Sequence, residues 1–136
     1  MKKYFKFLLL SFVLIFSFNF QIDRANAAYS CDSSSVKCAD ATLSYGKTEH
    51  VFSSSVYYSK GEEIIYSWEN DSPGIFHVAF YIVRGNEKVS PTVYAPSLGD
   101  NYGTYPVSES GWYSLYALCN GGTDNRCQGG GRISKF

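Results

Sequence analysis

The chain has 136 residues, 12 basic and 12 acidic, for a formal net charge of zero. No Lys/Arg cluster offers a phosphate-neutralising patch, which excludes nucleic acid as a partner on charge grounds. Two histidines and four cysteines leave little material for a catalytic centre, whereas tyrosine alone occurs twelve times.

The first 27 residues read as a secretory signal peptide. Lys2, Lys3 and Lys6 form a basic n-region, and an apolar run from Phe7 to Phe18 follows, broken only by Ser11 and Ser17. Ala25-Asn26-Ala27 then supplies the small residues of a cleavage site. The expected product is residues 28–136, one secreted domain without a membrane span, since the apolar run is shorter than the ~20 residues a span needs. A lipid anchor on Cys31 is the weaker reading, because Ala28 and Tyr29 do not make a lipobox. Removing residues 1–27 also removes four basic side chains and one acidic one, so the remainder has eight basic and eleven acidic residues and a net charge near −3.

Cys31, Cys38, Cys119 and Cys127 all fall in the exported part, and an even count after a signal peptide reads as two disulfides. Local pairing, Cys31 with Cys38 and Cys119 with Cys127, is the simplest arrangement. Each bridge would add about 2–3 kcal/mol in the chain-entropy model. Crossed pairings that tie the N-terminal segment to the C-terminal one remain open. The spacings are wider than the C-x2–4-C of structural zinc, so no metal is expected.

Tyr29 to Tyr45 reads as an irregular or edge segment pinned by its two cysteines. His50–Tyr58 is rich in Val, Phe and Tyr and reads as one strand, ended by the turn Ser59-Lys60-Gly61-Glu62. Glu63–Glu69 alternates, with Ile64, Tyr66 and Trp68 on one face and Ile65 and Ser67 on the other. Asn70-Asp71-Ser72-Pro73-Gly74 is a strong turn signal. Ile75–Arg84 is apolar on both faces and reads as a central strand, in which Tyr81, like Tyr66, Trp68 and Phe80, is expected in the core or between sheets. Pro91 confines Val89–Ala95 to an edge or a bulge. Pro96–Tyr105 reads as a loop, Gly111–Cys119 as a strand, Asn120–Gly131 as a glycine-rich loop and Arg132–Phe136 as a last short strand. No window has helical periodicity. Short strands with turn signals about every 8–12 residues predict an all-β, single-domain antiparallel sandwich with two disulfides.

Two stretches carry a resemblance. Gly61-Glu62-Glu63-Ile64-Ile65-Tyr66-Ser67-Trp68 resembles the glycine-initiated alternating strand of secreted jelly-roll modules. Gly111-Trp112-Tyr113-Ser114-Leu115-Tyr116 is similar to their late Ser-Gly-x-Tyr strand. GOLD-type domains and the pre-peptidase C-terminal domains of bacterial secreted proteases share this style. The resemblance implies a jelly-roll-like β-sandwich used for binding, and it carries no site residue with it.

Catalytic patterns are sparse. There is no Gly-x-Ser-x-Gly elbow, His50 begins a strand, and His77 sits among apolar residues. The acidic residues flank turns rather than forming a spaced pair. Gly99-Asp100-Asn101 and Gly122-Thr123-Asp124-Asn125 read as Asx turns before they read as calcium loops. No cofactor is expected. Tyrosine is the positive signal, because it joins an apolar ring to a hydrogen-bonding tip at low entropic cost. The candidate binding residues are Tyr57, Tyr58, Tyr94, Tyr102 and Tyr105, expected at strand ends and in loops. The function expected is a secreted, non-enzymatic, bacterial binding module for an extracellular glycan or a protein partner. The alternatives are a small secreted toxin, bacteriocin-like protein or enzyme inhibitor presenting the Asn120–Arg126 loop, and an enzyme of unrecognised type.

Overall fold

The computed structural model describes residues 29–32 and 34–136; the signal-peptide reading of residues 1–27 falls outside them. Among the described residues are ten strands: β1 (Cys38–Leu43), β2 (His50–Phe52), β3 (Val56–Tyr58), β4 (Glu63–Asn70), β5 (Val78–Arg84), β6 (Glu87–Lys88), β7 (Val93–Ala95), β8 (Asp100–Pro106), β9 (Gly111–Cys119) and β10 (Gly129–Lys135). They form a four-stranded sheet, β1-β10-β4-β8, and a six-stranded sheet in which β9 and β5 are central, flanked by β2 and β3 on one side and β6 and β7 on the other. All pairings are antiparallel.

Two pairs of these strands are each one strand broken in two. Counting β2 with β3 and β6 with β7 leaves eight, and these pair first with eighth, second with seventh, third with sixth and fourth with fifth. The chain is therefore one long hairpin rolled into a sandwich, which is the jelly-roll arrangement. Both breaks are made by a buried serine. At the first, Ser53 N–H donates to the Leu115 carbonyl and Leu115 N–H donates to Ser53 Oγ, both at 2.9 Å. At the second, Ile82 N–H donates to Ser90 Oγ at 2.8 Å. In each case a hydroxyl takes a place in the ladder that a carbonyl would fill, so the strand bends without stranding a buried donor.

The inner faces supply the core. Ile64, Tyr66 and Trp68 of β4 meet Val78, Phe80 and Ile82 of β5 and Tyr113 and Leu115 of β9. Buried polar tips find partners. Asn70 Oδ1 accepts from Trp68 Nε1 at 2.9 Å, and Asn70 Nδ2 donates to the Ala95 and Pro96 carbonyls. Tyr66 donates to the Pro91 carbonyl and Tyr113 to the Glu109 carbonyl. The two disulfides are local, Cys31–Cys38 and Cys119–Cys127, as the simplest reading expected.

Several sequence expectations are corrected. Residues 129–131 are not loop: they open β10, which lies between β1 and β4. Rings occupy both of its faces there. A Cβ on Gly131 would fall 2.2 Å from the Ser67 carbonyl oxygen and 2.5 Å from the Trp68 ring, and one on Gly130 would fall 2.1 Å from the Tyr29 ring. The expected Pro96–Tyr105 loop is mostly β8, paired with β4 along its whole length. The expected single strand His50–Tyr58 is β2 and β3, and Ile75–His77 precede β5 rather than opening it.

Candidate functional site

Strand alternation and register decide what the six-stranded sheet presents outward. Along β9, the outward residues are Trp112, Ser114, Tyr116 and Leu118, each the centre of one row across the sheet. Trp112 sits beside Tyr57. Ser114 sits beside Val83, which pairs with Lys88. Tyr116 lies between Phe52 and Tyr81. Leu118 lies between His50 and Ala79, and Ala79 pairs with Tyr94.

The Tyr116 row is an aromatic platform. The Phe52 and Tyr116 rings stack at 4.0 Å with 21° between their planes, and Tyr81 meets Tyr116 edge-on at 5.3 Å. Phe52 is 54% exposed. These rings, with Val83, Asn86 and Lys88, line an open hollow of about 180 Å³. Lys88 Nζ lies 4.7 Å above the Tyr81 ring and donates to Thr92 Oγ1. Partial burial, and secondarily the neighbouring Tyr116, raises the Tyr81 pKa, so its hydroxyl is a neutral donor at physiological pH.

A second aromatic pair stands in the Trp112 row. Tyr57 and Trp112 meet edge-to-face at 5.6 Å, 45% and 60% exposed. They border a hollow of about 420 Å³ whose other walls include Val36, Ser54 and Ser55. Between the two clusters, Ser55 Oγ and Ser114 Oγ share a hydrogen bond at 2.8 Å. None of the outward positions in these rows is acidic, although acidic residues outnumber basic ones after residue 27.

The five tyrosines proposed from sequence do not form one surface. Tyr57 and Tyr94 are exposed on the outer face of the six-stranded sheet, Tyr94 beside His77 at 5.8 Å. Tyr102 is exposed, but its partner is Ser67, so it stands on the outer face of the opposite sheet. Tyr105 is half-buried and packs against Tyr113. Tyr58 is fully buried; its hydroxyl donates to the Lys37 carbonyl, and burial, then the nearby Glu62 charge, keeps it protonated. Tyr58 is therefore a core residue and no part of an exposed binding surface. Sequence reasoning missed Phe52, Trp112 and Tyr116 as outward rings and placed Tyr81 inside. Two-residue alternation anchored on buried Leu115 would have pointed Tyr116 and Trp112 outward.

Other candidates resolve simply. Asp124 receives Arg126 through Nε and Nη2, and this pairing, Arg126 first, lowers its pKa to about 2. Asp100 and Asn101 belong to β8, where Asn101 Nδ2 donates to the Tyr94 carbonyl. His50 and His77 are exposed, the first beside Tyr116 at 5.8 Å. Among the described residues no three His, Cys, Asp or Glu side chains gather as a metal site, and no helix is long and apolar enough to cross a membrane.

No protein-family model matches the chain, and no curated protein matches it. Among solved structures it is similar to the secreted serine protease VesC from Vibrio cholerae, at 12% identity and a TM-score of 0.39, over 68% of this chain. It is also similar to TmCBM61 in complex with beta-1,4-galactotriose, at 14% identity and a TM-score of 0.36, over 71% of this chain. The chain spans 18% of the first protein's length and 66% of the second's.

Proposed function

We propose that this chain is a secreted, non-enzymatic binding module that holds an extracellular glycan against the outer face of its six-stranded sheet. The observation that carries the reading is the stacked Phe52–Tyr116 pair with Tyr81 at its side, an aromatic platform left open to solvent. A sugar ring presents axial C–H bonds that pack on an aromatic face, while its equatorial hydroxyls reach the polar rim. Lys88, Asn86 and the Tyr81 hydroxyl supply that rim. Fixed rings of this kind give contact area at little entropic cost, because the neighbouring strands already hold their rotamers. The two disulfides agree with an oxidising, extracellular setting.

A glycan array with purified protein tests the reading. Binding is expected to at least one glycan class, and Tyr116→Ala is expected to lower retention about tenfold with the melting transition intact. An array without any bound glycan, or binding indifferent to Tyr116→Ala, overturns it.

A further inference from the structure

The rows across β9 say more than that a sugar is bound. Resting on the glycan reading above, we infer that the ligand is an internal stretch of a linear, acidic polysaccharide running along β9 from Tyr116 to Trp112. Four residues separate the two aromatic rows, about 13 Å along an extended strand, on the order of two to three linked pyranose rings. One monosaccharide cannot touch both clusters, whereas a longer chain can stack at each and cross the row between them.

That middle row is polar. It carries the Ser55–Ser114 hydroxyl pair and, across Val83, Lys88. Two strand spacings place the Lys88 backbone about 10 Å from Ser114, and its ammonium leans from there over the Tyr81 ring at the rim of the adjoining aromatic row. Lys88 is partnered by a hydroxyl and a ring rather than a carboxylate. The outward positions registered on this face hold no acid, so a carboxylate on the ligand meets an ammonium and no like charge. The order aromatic with a cation at its rim, hydroxyls, aromatic matches a polymer that presents an acid group beside a stacked ring and stacks again about two to three sugars on.

The test uses isothermal titration of the full exported chain with hexasaccharides of hyaluronan, galacturonan and alginate, with the neutral hexasaccharides of chitin and cellulose, and with the corresponding disaccharides. At least one acidic hexasaccharide is expected to bind about tenfold more tightly than either neutral one and than its own disaccharide. Trp112→Ala is expected to lower hexasaccharide affinity about tenfold and disaccharide affinity less than twofold. Lys88→Gln is expected to erase the preference for acid, and raised salt to weaken wild type but not that variant. Tyr57→Ala serves as the second variant at the far cluster, with circular dichroism verifying the fold of each. Equal binding of di- and hexasaccharides, or a neutral ligand bound as tightly as every acidic one, overturns this inference and leaves the glycan reading standing. Glycan binding that ignores Tyr116→Ala overturns the reading beneath it.

Discussion

The two outer faces of this sandwich are built by the same alternation and yet present opposite chemistry. The six-stranded sheet turns Phe52, Tyr57, Tyr81, Trp112 and Tyr116 outward with Lys88 as its cation. The four-stranded sheet turns out Asp40, Arg132, Ser67 and Tyr102, which share one row, and Glu69 and Asp100, which share another. Its ordered features face inward or lie along the sheet: Trp68 over Gly131, Asn70 tying β4 to residues 95 and 96, and Tyr29 flat on Gly130 with its hydroxyl on Asp71. Both sheets share the core, but only the six-stranded one turns a cluster of exposed rings outward among the described residues. An aromatic residue is informative about recognition only once its face is known.

Substitutions that sort by sheet test this division. The largest effect is expected from Gly131→Ala, whose methyl would collide with the Ser67 carbonyl and the Trp68 ring. A loss of about 3 kcal/mol follows from overpacking against backbone, read in a thermal melt as a fall of more than about 10 °C. Asn70→Ala comes next. It removes the acceptor of the Trp68 indole N–H and the donor to two carbonyls, and about 2–3 kcal/mol should be lost in urea unfolding. Phe52→Ala should instead leave the melt within about 2 °C, because the ring is half exposed, and should reduce glycan retention about tenfold. Tyr102→Ala, on the other sheet, should change neither by more than about twofold. Equal losses of binding from Phe52→Ala and Tyr102→Ala would erase the contrast.

The smallest expected effect is a pH dependence that belongs to the four-stranded sheet. Glu62 is held by Lys37, by the Ser59 N–H and by Lys135, and these partners, Lys37 first, lower its pKa from 4.5 to about 2. Its folded pKa lies below the unfolded value, so its contribution is complete above pH 4.5 and disappears as the pH falls toward 2. Melting temperature should therefore decline across that window, and Glu62→Gln should flatten part of the decline. A wild type and variant that fall in parallel would remove Glu62 as the cause.

Much of the fold was legible. Alternation in Glu63–Glu69 placed Ile64, Tyr66 and Trp68 inside, and the even cysteine count with short spacings anticipated the local bridges. What stayed hidden has specific physical causes. Glycines in β10 read as loop because their reason, rings packed on both faces of the strand, is tertiary. Asp100–Pro106 has the composition of a turn but is held by seven partners along β4. The bulge between Phe52 and Val56 shifts the phase of alternation, so Tyr57 points outward and Tyr58 into the core. An unbroken strand would reverse them. Tyr81 looked internal because β5 is apolar on both faces, yet register with Tyr116 turns its ring to the outer face. Of the five tyrosines expected on one surface, Tyr57 and Tyr94 share the outer face of the six-stranded sheet, whereas Tyr58 is buried, Tyr102 stands on the other sheet and Tyr105 packs against Tyr113.

Ser53 and Ser90 sit at opposite margins of the aromatic sheet, and each spends its hydroxyl on the backbone of the strand next to it. A foreign strand arriving at either margin meets a bent border in place of a straight row of free amides and carbonyls.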